Sequence, residues 1–100
     1  MNHYHEQFWQ IAKDFGLDRI GYLCTLPGIH PSDCVMKYDG QKHKIYCADH
    51  LGLSRLSNYI YCFGLEELRP KLARERIAKL VEQYKQLNVQ KKLDRINEDF

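Results

Sequence analysis

The chain has no apolar run approaching the ~18 residues of a membrane-spanning helix. That absence excludes a helical membrane protein. Its first residues, Met1-Asn2-His3-Tyr4-His5-Glu6-Gln7, lack the charged and then apolar order of a secretory signal. The expected compartment is therefore the cytoplasm, where Cys24, Cys34, Cys47 and Cys62 would be reduced thiols or metal ligands. Two disulfides in a secreted domain are the rival reading. Also missing are a phosphate-cradling Gly-rich loop with Lys, a Gly-x-Ser-x-Gly elbow, a His-Glu-x-x-His pair and a dinucleotide fingerprint. Nothing reads as an enzyme, and a nucleophilic pairing of Cys47 with His50 or Cys34 with His43 would have to be assembled in space. Strong net charge is absent too, at +2 over 100 residues. Yet 44% hydrophobic content with twelve aromatics argues against disorder, and 28% charged residues argue for solubility.

What the chain does hold is concentrated between His30 and His50, with three of the five His and two of the four Cys. Val35 to Tyr38 and Lys42 to Cys47 are short runs with β-branched and aromatic members, and Asp39-Gly40 between them suits the positive φ of a tight hairpin turn. His30-x3-Cys34 precedes this hairpin and Cys47-x2-His50 follows it. Pairing the strands would bring the four side chains toward one end, where His30, Cys34, Cys47 and His50 could hold one structural zinc. A knuckle, a hairpin and a following helix that gives the last two ligands resembles the treble-clef arrangement. The first pair departs from its Cys-x2-Cys form. The plainer role for Cys34 and Cys47 is as small buried apolar residues at strand ends.

Helical periodicity opens and closes the chain. Tyr4, Phe8, Ile11, Ala12 and Phe15 fall on one helix face, Gly16 with Leu17 reads as a left-handed C-terminal cap, and Trp9 lies beside the stripe as an edge seal or a partner contact. Ile20, Tyr22 and Cys24 alternate like a strand that pairs with the later hairpin. Two prolines and a glycine within Pro27 to Pro31 require a loop. Leu53, Leu56, Ile60 and Phe63 predict a helix over 52–63 ended by Gly64, with a strand through Asn58 to Phe63 as the alternative, since Tyr59-Ile60-Tyr61 is aromatic and β-branched. After a separate turn over 65–69, Pro70 marks a helix start. Ala73, Ile77, Leu80, Tyr84 and Leu87 then form one seam, and Val89, Leu93, Ile96 and Phe100 a second seam out of phase, which predicts a break near Asn88.

Ala48-x3-Gly52-Leu53-Ser54-Arg55, continuing through Tyr59 and Glu66-Glu67-Leu68, resembles the second half of a bacterial helix-turn-helix of the TetR type. Asn58 and Cys62 depart from that pattern. The resemblance implies a DNA-binding regulator whose Arg55, Ser57 and Asn58 face the bases.

The expected fold class is α+β: an N-terminal helix, a small hairpin-centred sheet and C-terminal helices. Residues 1–68 would form a body with eight acidic residues against six basic ones, and 69–100 a helical arm with nine Lys or Arg against three acidic residues between Arg69 and Arg95. The leading functional expectation is a non-enzymatic binding protein that presents this basic arm to a larger partner. Pro70, Lys71, Arg74, Ile77, Leu80, Tyr84 and Leu87 would carry the contact. Small chains of this kind are used by phages and mobile elements to inhibit or redirect a host nucleic-acid enzyme, such as a recombination and repair nuclease or a CRISPR effector. Nucleic acid and a prolyl isomerase acting at Arg69-Pro70 are further partners considered. The alternatives are the DNA-binding regulator and a structural zinc module.

Overall fold

A computed structural model describes residues 3–27, 29, 33–54 and 59–98, and it shows an α+β architecture. The first helix, α1 (Tyr4–Asp14), forms where the periodicity places it and buries Phe8, Ile11 and Ala12. Its end follows from Gly16, whose φ of +64° lets the chain turn back. Leu17 N–H then donates to Ala12 O at 2.9 Å and Gly16 N–H to Lys13 O at 3.2 Å, which satisfies carbonyls the helix leaves open.

Four short strands continue from there. Strands β1 (Asp18–Ile20) and β2 (Leu23–Thr25) form a hairpin around Gly21-Tyr22, with Gly21 at φ +59° as a two-residue loop of this twist requires. β3 (Met36–Asp39) and β4 (Lys44–Cys47) form the next hairpin, pairing Met36 with Cys47 and Asp39 with Lys44. Its turn is wider than the expected Asp39-Gly40 pair and spans 40–43. The positive φ belongs to His43 (+54°) rather than to Gly40, while Asp39 Oδ1 accepts from the Gln41 and Lys42 amides at 2.9 and 3.0 Å. The Asp39 side chain thus builds the turn locally.

The helix expected over 52–63 is absent. Instead β5 (His50–Ser54) pairs antiparallel with β6 (Tyr59–Phe63), as the strand alternative anticipated for its second half. The register puts Leu51 opposite Cys62 and Leu53 opposite Ile60, so four apolar side chains share the face toward the core. The other face carries His50, Gly52, Tyr61 and Phe63, and a β-carbon on Gly52 would lie 2.5 Å from Phe63 Cε2. A period of two buries this set where a helical period would leave part of it in water. The stretch expected as a turn over 65–69 is also extended: β7 (Glu66–Leu68) adds to the edge of β4. The result is a five-stranded antiparallel sheet in the order β1-β2-β3-β4-β7, with β5-β6 as a separate two-stranded sheet.

Pro70 opens α2 (Pro70–Glu98), which continues past Asn88 without the predicted break. At ~1.5 Å per residue, 29 residues span about 43 Å, and the molecule measures 59 × 20 × 19 Å along its principal axes. Ala73, Ile77 and Leu80 join Phe8, Val35, Met36 and Ile45 in one core, with Trp9, Val81, Tyr84 and Leu87 packed partly against it. Trp9 seals an edge: its indole donates to His5 Nε2 at 2.7 Å, and the Arg19 guanidinium lies 3.7 Å over its ring.

Candidate partner-binding surface on the second helix

The two halves of α2 face different surroundings, and side-chain polarity explains the division. Between Pro70 and Leu87, positions four and three apart turn toward the body. Ala73, Ile77 and Leu80 are buried, with Ile77 at 0% and Leu80 at 2% exposure. Polar bonds tie the same half down. Arg76 donates to Ala48 O at 3.1 Å and to Glu66 Oε2 at 3.0 Å, Gln83 Oε1 accepts from the Leu51 amide at 2.8 Å, and Tyr84 OH donates to Pro27 O at 2.6 Å. Arg74 pairs with Asp14 of α1 at 2.9 Å, and this ion pair together with Gln10 holds the Asp14 carboxyl below its usual range. Asp14 Oδ1 accepts from Gln10 at 2.7 Å, the larger of the two causes.

Most of the seam expected to meet a partner packs against the chain's own body. Of the seven residues expected there, Pro70, Ile77 and Leu80 are buried in the chain's own body, and Tyr84 and Leu87 are half-buried. Only Lys71 and Arg74 lie on the surface, and Arg74 is ion-paired within the chain. Pro70 follows a trans bond and is buried. The second seam is the open one: Val89 is 58% and Leu93 55% exposed. Its signal was the phase shift between the two seams, which marks a change in what the helix faces. The Ile96 side chain and Phe100 lie outside the described residues.

Lys85, Val89, Lys92 and Leu93 are related by three- and four-residue steps and therefore share one helix face. From Lys85 to Leu93 the sequence holds three lysines and no acidic residue. This half of α2 is a basic amphipathic surface without apolar cover from the chain among the described residues.

Three of the four residues expected to hold zinc lie among the described residues. His30 lies outside the described residues. Cys47 is fully buried at the end of β4, Cys34 is half-buried before β3, and His50 opens β5 at the surface. His50 Nδ1 is 2.8 Å from Asp49 Oδ2, a contact that lowers the Asp49 pKa, and its ring stacks on Phe63 with centroids 4.6 Å apart. The helix that a treble clef would place here is a strand, because its apolar residues alternate. Among the described residues, no three His, Cys, Asp or Glu side chains form a metal-holding group. All four thiols are free, and burial pushes Cys24, Cys47 and Cys62 up to about 12. Burial likewise raises the Cys34 pKa.

Arg55, Ser57 and Asn58, expected to face DNA, lie outside the described residues, and the segments that flank them are the strands β5 and β6 rather than a helix. Asp33 braces the segment before β3 onto β6, accepting from Tyr59 OH and from the Cys62 amide at 3.4 Å, while Cys62 Sγ donates to its carbonyl at 3.2 Å. No described helix is long and apolar enough to cross a membrane. No protein-family model, no curated protein and no solved structure matches the chain.

Proposed function

We propose that this chain is a non-enzymatic binding protein of the cytoplasm that docks the outer half of α2 into an acidic-rimmed apolar groove on a larger protein. The observation that carries the reading is the exposure of Val89 and Leu93 on a helix already fixed to its body by Ile77 and Leu80. Such a helix is held in the bound conformation before it meets a partner, so little ordering entropy is lost on docking. Apolar anchors spaced by four residues with lysines beside them match helix-in-groove recognition, and the lysines favour an acidic rim. They disfavour a second copy, which would bring Lys85 and Lys92 toward like charges. A nucleic-acid enzyme of a host cell, inhibited or redirected by an accessory protein of a phage or mobile element, is the target class we propose, since such enzymes carry acidic faces that basic helices engage.

The test uses the full chain as bait in nuclease-treated bacterial lysate, beside the Val89→Glu/Leu93→Glu double variant and a Lys71→Glu control. The expected result is a protein retained by the wild type and the control and lost from the double variant. Retention by all three, or by none, overturns the reading.

A further inference from the structure

A cleft of about 530 Å³ lies where the start of α1, the β3–β4 turn, the paired ends of β4 and β7 and the first turn of α2 converge. This volume falls within the range of roughly 300 to 1,000 Å³ typical of small-molecule sites. Its lining is divided by chemistry. Lys42, Lys44 and Arg69 bring three cations from three separate elements, against one carboxylate, Glu67. That carboxylate is engaged by Lys44, with Nζ 3.3 Å from it. The opposite character comes from Leu68 and from Leu72, which is 49% exposed, with the fully buried Ile45 behind them. No acidic residue occupies the first turn of α2, so the positive end of the helix dipole adds to the field of the three cations without being their substitute.

We propose that this cleft binds a small phosphorylated ligand with an apolar or aromatic body. A phosphate dianion offers several acceptor oxygens to the Lys and Arg donors that line the cleft, and the guanidinium fork of Arg69 suits two of them at once. A singly charged carboxylate would leave part of this positive field unmatched. The apolar wall then has the body of the ligand to cover, and the cleft volume suits one phosphate with one ring system rather than a polymer strand. The site lies about 25 Å along α2 from Val89, so it is independent of the proposed docking surface.

Isothermal titration of the full chain with phenyl phosphate, and separately with inorganic phosphate, tests the proposal. Phenyl phosphate is expected to saturate one site and to bind at least tenfold more tightly than inorganic phosphate. Lys42→Gln and Arg69→Gln, both at exposed positions, are each expected to weaken it about tenfold or more, as loss of a charged hydrogen bond does. Glu67→Gln should tighten it, because the repelling charge is removed and Lys44 is released; a purely structural role would not produce that gain. Lys79→Gln, exposed elsewhere on α2, should leave it unchanged. No saturable binding, equal affinity for the two phosphates, or an affinity indifferent to the three cleft variants would overturn the proposal.

Discussion

Substituting Ile77 by Ala tests the division of α2 into a core half and an outer half. Ile77 is 0% exposed and packs in the cluster that joins α1, the sheet and α2. The change deletes three carbon atoms at about 0.8 kcal/mol each, roughly 2.4 kcal/mol of transfer free energy. A cavity bounded by the rigid sheet and two helices collapses only in part, which brings the expected loss to about 3 to 4 kcal/mol. For a domain of this length each kcal/mol moves Tm by about 4 to 8 °C, so Tm should fall by at least ~12 °C. The total stability of such a domain is about 5 to 15 kcal/mol, so the variant should still fold at low temperature. The Val89→Glu/Leu93→Glu double variant alters two exposed positions and should stay within about 0.5 kcal/mol per site of the wild type. Circular dichroism melts and urea titrations of both variants give the comparison. An Ile77→Ala loss below about 1 kcal/mol would refute the core assignment. A loss of similar size in the double variant would show the outer half to be core as well.

Arg76→Ala should cost about 1 to 3 kcal/mol, because the Ala48 carbonyl and the Glu66 carboxylate lose their shared donor; Arg76→Lys should recover only part of it in a denaturation titration, since one ammonium lacks the fork that reaches both. The Asp14 carboxyl is held below its usual 3.8 by Gln10 and Arg74, so its stabilising contribution is complete above that value and fades as the pH falls below it. Asp14→Asn should remove that acid sensitivity, and an NMR titration midpoint for Asp14 at or above 3.8 would contradict the assignment. With Cys24, Cys47 and Cys62 pushed from 9 to about 12 by burial, their contribution is intact below pH 9 and is lost as the pH rises toward 12. Rapid reaction of any of the three with a disulfide reagent in native protein near pH 8 would be incompatible with this, since the thiolate is the reacting form. The zinc proposal for His30, Cys34, Cys47 and His50 predicts about one metal per chain in elemental analysis, lost in Cys47→Ser, and fails if the purified protein holds under about a tenth of an equivalent.

Local chemistry alone determined a good part of this protein. The apolar face of α1 and its Gly16 cap, the β3–β4 hairpin with Asp39 in its turn, and Pro70 at the start of α2 each depend on residues within a few positions of one another. Their geometry is decided by backbone sterics and short-range hydrogen bonds, which the sequence states directly. Tertiary structure decided the rest. Leu53 and Ile60 fit a helical period and an alternating one equally well, and the choice fell to the strands once Leu51 and Cys62 could complete a face against the core. Likewise the two seams of α2 are both apolar, and no local rule says which one the body covers. The body packs along the first half of α2, held there by Arg76, Gln83 and Tyr84, so Ile77 and Leu80 became core while Val89 and Leu93 were carried past it into water. The cleft at the other end of the helix has the same origin: Lys42 and Lys44 stand far from Arg69 in the chain, and only the pairing of β4 with β7 sets them around one space.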